Sequence, residues 1–329
     1  MQPFLAPFEF GEYVEFAGFL AEHPVFALAD GQIRMFTDEG EQTLQAHDGL
    51  TCATIAHDAK SLITGGEDGK VLSTNAKGEY TELGAVERKW IDSVATGPNG
   101  VVAWSAGKEV TVKNGDGIHT FSHESTVEDI AFAPKGLRIA AARYNGVDLY
   151  WAGTEAEPQS LEWDGPHNLV RFSPDGRFLV TSMQENVLHG WRLDTGAHMR
   201  MAGYPTKVKS LDFTAFTSKG GKWLATSGAN SAVLWPFTGQ EGPMGKVPRE
   251  LGTRPESVVT QVACHPKEAV VAIGYADGLV GLAAIEGETE TVVRPAGKAA
   301  VTAFGWNETG TQLVFGTEDG AGGLVDMSN

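Results

Sequence analysis

Short apolar runs separated by polar turns recur along the whole chain, and the clearest case is residues 168–191, NLVRFSPDGRFLVTSMQENVLHGW. One apolar run ends at the SPDG turn of residues 173–176, a second follows at 178–180, and a turn with Asn186 leads to a third run that ends at Trp191. Gly and Asn tolerate positive φ and Pro favours a turn, so this pattern predicts strands joined by tight turns. One such repeat cannot bury its faces alone.

The central hairpin of this repeat occurs eight times at a nearly regular spacing. Each copy is an apolar strand, a turn with Asp, Asn or Gly, and a second strand; the copies are residues 25–36, 62–72, 101–112, 139–151, 178–191, 223–235, 270–282 and 313–325. Counted from Phe26, successive copies start 36 to 47 residues apart. A period near 40 residues with about four short strands per repeat is typical of a β-propeller blade. Apolar residues with helical spacing are absent over three turns, so almost no helix is expected.

The sequence therefore predicts an all-β fold, a single β-propeller of four-stranded antiparallel blades that spans residues 1–329. We favour eight blades because eight hairpins can be counted; seven is the alternative, because residues 12–20 are the first repeat's only candidate inner strand. The predicted blades are 12–46, 47–85, 86–122, 123–163, 164–203, 204–255, 256–296 and 297–329, the last completed by residues 3–10. The irregular stretch 237–255 is expected to form the outer strand of the sixth blade with a long excursion.

The last repeat ends after its third strand, so its edge is expected to need a partner. An open strand edge is an aggregation hazard. The N-terminus has a spare extended segment at residues 4–10. We expect this segment to pair with residues 323–327 and so to complete the last blade.

The pattern of residues 168–191 resembles the WD40 repeat, with Pro174, Asp175 and Gly176 before a strand that contains Ser182, then Asn186 and Trp191. Other repeats keep fewer of the family's positions: His47, Thr64 and Asp68 with Thr74 in place of Trp; Asn145 and Trp151; and Thr226, Asn230 and Trp235. In the family, His, Ser or Thr, Asp and Trp form a buried hydrogen-bonded set that locks a blade. No repeat here has all four, so the resemblance implies a divergent member held mainly by strand packing.

Composition limits the classes of partner and compartment. The chain has 25 basic and 42 acidic residues among 329, a formal net charge of −17, which disfavours nucleic acid and anionic membranes as partners and favours basic or neutral ones. Only Cys52 and Cys264 are present, and two cysteines do not make a disulfide framework, which indicates a reducing compartment. No secretory signal or membrane span is expected, so we predict a cytoplasmic protein.

Candidate catalytic motifs do not rise above chance. The loop 65–70 superficially resembles a phosphate-binding loop, but it lies between two predicted strands and contains Glu67 and Asp68, which repel phosphate. His57 and the pair Cys264-His265 fall at equivalent positions of two non-adjacent predicted blades, so they are not expected to converge on a metal ion. We therefore predict no catalytic residue, no cofactor and no metal site.

Candidate partner-binding residues lie in the hairpin turns and in the loops that enter each first strand, which share one face of a propeller. The acidic residues Glu67, Glu185 and Glu318 fall in hairpin turns and could form part of a rim that attracts a basic peptide. The remaining candidates are Arg88, Trp90, Arg143, Tyr144 and His167. Trp, Tyr and Arg dominate interface hot spots because they bury a large area at small entropic cost.

The leading hypothesis is a non-catalytic scaffold that docks a partner protein or peptide on one loop face, as a monomer or as a subunit of a hetero-complex. The alternative is an enzyme, or a cofactor- or metal-binding propeller that uses the acidic rim. That alternative predicts docking motifs and a metal-binding channel, which the sequence does not display.

Overall fold

A computed structural model describes residues 3–154, 156–215 and 222–328, and within these residues the regular structure is β-strand apart from one 3₁₀ turn at Pro98–Gly100. The strands are short because turns with positive φ, mostly at Gly, interrupt them at regular intervals. Consecutive strands pair antiparallel, so each sheet is a meander. The all-β class expected from the sequence is therefore observed in the described residues.

Six of the seven sheets have four strands. Their orders are β2(Val14–Leu20)-β3(His23–Leu28)-β4(Gln32–Thr37)-β5(Gly40–Gln45); β6(Leu50–Ile55)-β7(Ser61–Gly66)-β8(Lys70–Asn75)-β9(Tyr80–Ala85); β10(Ser93–Thr96)-β11(Val102–Ala106)-β12(Glu109–Asn114)-β13(Gly117–Ser122); β20(Leu211–Phe213)-β21(Lys222–Thr226)-β22(Ala232–Phe237)-β23(Arg249–Leu251); β24(Val259–Cys264)-β25(Val270–Tyr275)-β26(Val280–Ala284)-β27(Glu290–Arg294); and β1(Phe4–Glu9)-β30(Ala321–Asp326)-β29(Gln312–Thr317)-β28(Val301–Trp306).

The seventh sheet has six strands and corrects the prediction of eight blades. Its order is β14(Val127–Phe132)-β15(Arg138–Trp151)-β16(Gln159–Phe172)-β17(Phe178–Met183)-β18(Val187–Arg192)-β19(His198–Ala202). The preferred count of eight separate four-stranded sheets is wrong, because the fourth and fifth predicted repeats share this one sheet. The structure has seven sheets in the described residues, the number held as the alternative.

The two repeats merge because the stretch predicted to be a loop between them stays hydrogen-bonded. Pro166 pairs with Tyr144 of β15, and its carbonyl accepts the N–H of Gln184 at 3.1 Å, so β16 runs through without a break. Strand β15 doubles back on itself, since the N–H of Ala152 donates to the carbonyl of Leu137 at 2.8 Å. The predicted hairpin therefore exists, but within one continuous strand.

The predicted pairing of the N-terminal segment is confirmed. Strand β1 pairs antiparallel with β30, from Phe4 opposite Asp326 to Glu9 opposite Ala321. Leu5 packs against the apolar cluster that contains Leu313, Phe315 and Val325. The last repeat thus takes its outer strand from the start of the chain.

The chain divides into two compact bodies: Phe19–Glu185, called here the 19–185 body, and the described residues of Met1–Gly18 with Asn186–Asn329, called the C-terminal body. In each body the core lies between neighbouring sheets. One cluster in the 19–185 body joins Val110 and Val112 to Ile139 and Tyr150, and one in the C-terminal body joins Leu234 to Val262 and Ile273. That residues 1–329 form a single domain stays a prediction.

Close approach of neighbouring sheets requires glycine at one position of a central strand. A Cβ added to Gly65 would lie 2.5 Å from a methyl group of Ile91, and one added to Gly316 would lie 2.2 Å from a methyl group of Val14. Real Cβ atoms do not approach so closely, so a branched side chain at the start of the next sheet occupies the space that these glycines leave open.

Hydroxyl groups on some first strands donate to backbone carbonyls at the start of the next repeat. The Thr51 hydroxyl donates to the carbonyl of Ile91 at 2.5 Å, and the Thr302 hydroxyl donates to the carbonyl of Val14 at 2.7 Å. In the 19–185 body, Asp129 accepts from the Ser93 hydroxyl at 2.9 Å and from the Val170 N–H at 2.9 Å. These contacts satisfy backbone groups that the sheet ladders leave open.

Removal of residues 1–11 should lower the melting temperature by at least about 5 °C, because it strips the outer strand from β30 and exposes the cluster around Leu5. Thermal unfolding followed by circular dichroism measures the shift. Phe4→Ala is the control, because this side chain is 66 % exposed and its loss should change little. An unchanged melting temperature after the truncation would show that the pairing adds nothing to stability.

Candidate functional site

Hairpin turns and first-strand loops meet at one edge of the sheets in the 19–185 body. We call this surface the loop edge and define it as the turns 67–69, 107–108, 144–146 and 184–185 with the loops 86–92, 123–126 and 163–166. Each turn is hydrogen-bonded to a neighbouring segment of this edge: Val86 N–H to Gly69 O at 2.9 Å, His123 N–H to Lys108 O at 2.9 Å, Gly165 N–H to Asn145 Oδ1 at 3.0 Å, and Gln184 N–H to Pro166 O at 3.1 Å. The loops are therefore fixed in place.

Trp90 projects from the loop edge next to an anchored residue. Its neighbour Ile91 is fully buried, and the Ile91 N–H donates to the carbonyl of Gly66 at 3.1 Å. Trp90 itself is 57 % exposed. Arg88 is exposed on the same loop, in the left-handed region at φ 58°. The loop thus presents an indole and a guanidinium on a rigid backbone, which is how interface anchors are usually held.

Tyr144 is the second exposed aromatic residue of the loop edge. It lies where β15 reverses and is 54 % exposed. Its N–H donates to the Ser125 hydroxyl at 3.1 Å, and its carbonyl accepts from Arg143 Nη1 at 2.9 Å. Between Tyr144 and Trp90 along the edge, Lys89 forms an ion pair with Glu109 at 3.1 Å, which is half-exposed and so contributes little to stability.

Arg143 is not an exposed loop residue. Its guanidinium is buried and holds Asp148 through two hydrogen bonds, Nε to Oδ2 at 2.7 Å and Nη2 to Oδ1 at 2.9 Å. Nη2 also donates to Glu162 at 2.8 Å. The sequence places Arg143 among the contact residues, whereas the structure places it in the support beneath Tyr144.

Asp148 is the centre of this buried network. His123 Nδ1 lies 3.0 Å from Oδ2, and the Ser160 hydroxyl donates to Oδ1 at 2.7 Å. Burial by itself raises the pKa of Asp148, but the hydrogen bonds from His123, Arg143 and Ser160 outweigh it and hold the pKa well below its usual range. Asp148 is therefore ionised and fully partnered, which suits a structural role.

His167 is also internal. It is fully buried, with Nδ1 2.7 Å from the Thr181 hydroxyl and Nε2 3.0 Å from the carbonyl of Trp163. Burial lowers the pKa of His167, although the bond to Trp163 opposes this. His167 thus locks the fifth repeat instead of facing a partner.

The acidic candidates Glu67, Glu185 and Glu318 are exposed. Glu67 and Glu185 lie in turns of the loop edge, close to Gly49 and Gly165. Glu318 lies in the β29–β30 turn of the C-terminal body. Other turn carboxylates cap their own turns, as Asp319 does by accepting from the Thr317 hydroxyl at 2.7 Å.

The family's buried polar set is present in partial forms. His47 Nε2 lies 2.8 Å from the Thr64 hydroxyl, and Nδ1 lies 3.0 Å from Asp68 Oδ1, as the resemblance implies. In the sixth repeat a tyrosine replaces the histidine: the Tyr204 hydroxyl lies 2.7 Å from Thr226 Oγ1 and accepts from Trp235 Nε1 at 2.6 Å. Burial raises the pKa of Tyr204 to about 12.

Sequence reasoning missed Tyr204 and the group of His123, Asp148 and Tyr150. Tyr204 lies in a segment whose sequence is typical of an exposed loop, but its side chain is buried. Their positions in the repeat are the signal that identifies them, because His123 and Tyr204 precede the first strands of their repeats, as His47 does.

The described residues offer no metal or reactive thiol site. No three His, Cys, Asp or Glu side chains are grouped so that they could hold a metal ion within the ranges that the structure describes. Burial raises the pKa of Cys52 to about 12 and also raises that of Cys264. His265 Nε2 is 2.9 Å from the carbonyl of Gly310, so it has a structural partner. Among the described residues, no helix is long and apolar enough to cross a membrane.

Comparison with known proteins agrees with this architecture. The WD40 family model (WD domain, G-beta repeat) matches residues 39–72. Telomerase protein component 1 is similar over 61 % of this chain but only 7 % of its own length, with 24 % identity over 203 residues for Mus musculus and 26 % over 205 residues for Rattus norvegicus. The crystal structure of the computationally designed Ika8 protein has a TM-score of 0.73 and 20 % identity over 97 % of both chains, a likeness of fold alone.

A chain of antiparallel meanders locked by buried His–Thr–Asp or Tyr–Thr–Trp sets is a β-repeat protein. With the matched repeat at residues 39–72 and the relatives, these features make the chain similar to WD40-repeat β-propeller proteins. WD40 propellers generally mediate protein–protein interaction and are typically non-catalytic scaffolds.

Asp148→Asn should lower the free energy of unfolding by about 3 kcal/mol at neutral pH, because it leaves the buried guanidinium of Arg143 uncompensated. The pKa of Asp148 is lower in the native state than in the unfolded chain. The ionised side chain therefore adds its full stabilisation at pH values above the ordinary carboxyl pKa of about 4, and this stabilisation is lost as the pH falls toward the native pKa. Urea unfolding measures both effects. Asp164→Asn, an exposed change on the neighbouring strand β16, is the control. Equal stability of the two variants would contradict the assigned role.

His167 should make stability fall in mild acid. Its native pKa is lowered, so between the ordinary value of about 6.5 and the native pKa the unfolded chain binds a proton that the native state does not. Stability therefore decreases as the pH falls through this window. His167→Gln should reduce the slope of unfolding free energy against pH, measured by urea unfolding at a series of pH values. Parallel curves for the two proteins would rule the assignment out.

Proposed function

We propose that this protein is a non-catalytic interaction scaffold that docks a partner protein or peptide on the loop edge of the 19–185 body. The observation that carries the proposal is the exposure of Trp90 and Tyr144, at 57 % and 54 %, on loops that hydrogen bonds hold rigid. Large aromatic side chains that stay exposed on a fixed backbone lose little entropy when they bind. Arg88 supplies a further exposed contact beside Trp90.

The buried candidates act through the exposed ones in this proposal. Arg143 supports Tyr144 by donating to its carbonyl, and His167 fixes the start of the fifth repeat. Neither contacts the partner directly.

A basic or neutral partner suits the charge of the molecule. The exposed carboxylates of Glu67 and Glu185 lie on the loop edge, and the chain carries a net charge of −17. Such a field accelerates encounter with basic surfaces and repels nucleic acid. Glu318 is an exposed carboxylate of the C-terminal body and is a candidate contact there. We further propose a cytoplasmic protein that acts alone or as a subunit of a hetero-complex, without a cofactor.

The double variant Trp90→Ala/Tyr144→Ala should lose the partner while keeping the fold. Because both side chains are more than half exposed, truncation should leave the melting temperature nearly unchanged. The measurement is quantitative mass spectrometry of proteins that co-purify with the tagged chain from cells of its source. A hot-spot pair of this kind should reduce recovery of the partner at least about tenfold.

The chain offers a matched control in Trp151→Ala/Tyr80→Ala. These two side chains are each 54 % exposed and lie in the same body, but Trp151 contacts the region of Gly136 and Tyr80 begins β9, both at the opposite sheet edge. The control should retain the partner. Equal recovery with both double variants would move the binding surface away from the loop edge.

A further inference from the structure

Strand β13 is an outer strand with an unusual composition. Its sequence, Gly117–Ser122 (GIHTFS), has no Asp, Glu, Lys or Arg. In every other sheet that the structure describes, the outer strand carries a charged residue; these are Glu9, Glu41, Glu82, Arg200, Arg249 and Glu290. Charged residues on edge strands oppose the addition of another strand. Strand β13 lacks this protection, and its Ile118 is 55 % exposed.

The register shows which backbone groups of β13 face outward. Thr120 lies opposite Thr111 in the ladder, and the same register places His123 opposite Lys108. The N–H of His123 donates to the carbonyl of Lys108 at 2.9 Å, so this last pair is a hydrogen-bonded one. Hydrogen-bonded and non-hydrogen-bonded pairs alternate along an antiparallel ladder, so the N–H and C=O of residues 118, 120 and 122 point away from β12. The two threonine hydroxyls lie 3.2 Å apart, which agrees with a close non-hydrogen-bonded pair.

A groove runs beside this outward edge. Its lower part has a volume of about 500 Å³ and is lined by residues 118–122, Tyr150 and the segment of Ala156, Glu157 and Pro158. Its upper part, about 450 Å³, continues through Ser122, Tyr150 and Pro158 to Tyr144 on the loop edge. A six-residue extended segment spans about 20 Å, the length of β13.

The ionisable groups of the groove favour a basic occupant. Its walls include the four carboxylates of Glu124, Asp148, Glu157 and Glu162 against the one guanidinium of Arg143. Asp148 and Glu162 already bind Arg143, so the exposed Glu124 and Glu157 are the carboxylates that remain to attract a cation.

We propose that an extended, basic segment of a partner protein binds in this groove by adding to β13 as a fifth strand. Backbone groups of residues 118, 120 and 122 supply the hydrogen bonds, and Glu124 and Glu157 select lysine or arginine side chains. A second copy of this chain is a poorer occupant, because two molecules that each carry −17 repel one another. The groove reaches the loop edge at Glu124 and Tyr144 but does not include Trp90, and strand addition to β13 needs neither aromatic side chain, so the inference can hold or fail independently of the proposed function.

Thr120→Pro tests the proposal with little disturbance of the sheet. Proline removes the outward N–H of residue 120 and is tolerated on edge strands where that N–H faces away from the ladder. The probe is a fluorescein-labelled peptide, Thr-Lys-Val-Lys-Val-Thr, and binding is followed by fluorescence anisotropy. The variant should bind at least about fivefold more weakly than wild type, because one backbone hydrogen bond is lost. Thr120→Val, which keeps the backbone donor, should bind as wild type does.

Charge reversal gives a second test that does not touch the backbone. Glu124→Lys/Glu157→Lys should also weaken binding at least about fivefold, whereas Glu39→Lys/Glu82→Lys, exposed changes away from the groove, should weaken it much less. The same peptide with Glu in place of Lys should not bind. Circular dichroism and melting temperature check that each variant is folded.

Several results would overturn the proposal. These are no binding of the lysine peptide to wild type, equal binding to Thr120→Pro, or self-association of the wild-type protein in sedimentation that Thr120→Pro abolishes. Trp90→Ala should leave peptide binding unchanged. The two proposals can also fail separately. If Trp90→Ala/Tyr144→Ala loses the partner but Thr120→Pro binds the peptide as wild type does, the strand-addition proposal is wrong and the proposed function stands.

Discussion

The contact between one sheet and the next is the constraint on which the rest of the structure depends. A short meander buries only part of its apolar surface, so each sheet needs a neighbour close enough to exclude water. Glycine in the central strand makes that approach possible, as Gly65 does for Ile91 and Gly316 for Val14. Hydroxyl groups such as those of Thr51 and Thr302 then bond the carbonyls of those branched residues. The same residues therefore fill the apolar space between two sheets and have their backbone carbonyls hydrogen-bonded.

This constraint explains why the loop edge is rigid. Trp90 lies in the short loop between β9 and β10, and Tyr144 lies where β15 reverses. Backbone hydrogen bonds hold both positions, from the Ile91 N–H to the Gly66 carbonyl and from the Tyr144 N–H to the Ser125 hydroxyl. Ile91, one residue after Trp90, is the branched side chain that fills the space beside Gly65. A residue that secures the core therefore positions the exposed indole directly. Movement of Trp90 would require disruption of the packing between two sheets.

Local patterns in the sequence predicted the strands, the hairpins and the pairing of β1 with β30, because turn residues and alternation are local signals. The merged six-stranded sheet could not be predicted, since Gly165 and Pro166 read as a loop whereas their partners across the sheet, Tyr144 and Asn145, hold them in it. Ser182 is the hydroxyl residue that matches the WD40 pattern in the fifth repeat, but Thr181 is the residue that reaches His167. A shift of one residue along a strand changes the face and is invisible without the pairing register.

The same limit applies to the candidate site. Arg143, Tyr144 and His167 are all polar or aromatic residues near a predicted turn, and composition cannot separate them. Burial distinguishes them. Arg143 and His167 are buried and hydrogen-bonded to Asp148 and Thr181, whereas Tyr144 is exposed to solvent. The fourth repeat replaces the usual lock with the ion pair of Arg143 and Asp148, whose guanidinium also holds the carbonyl of Tyr144. The departure from the WD40 pattern thus lies where a buried ion pair and an exposed aromatic side chain share one backbone segment. At such a position the exposed side chain can change while the buried polar groups keep their partners.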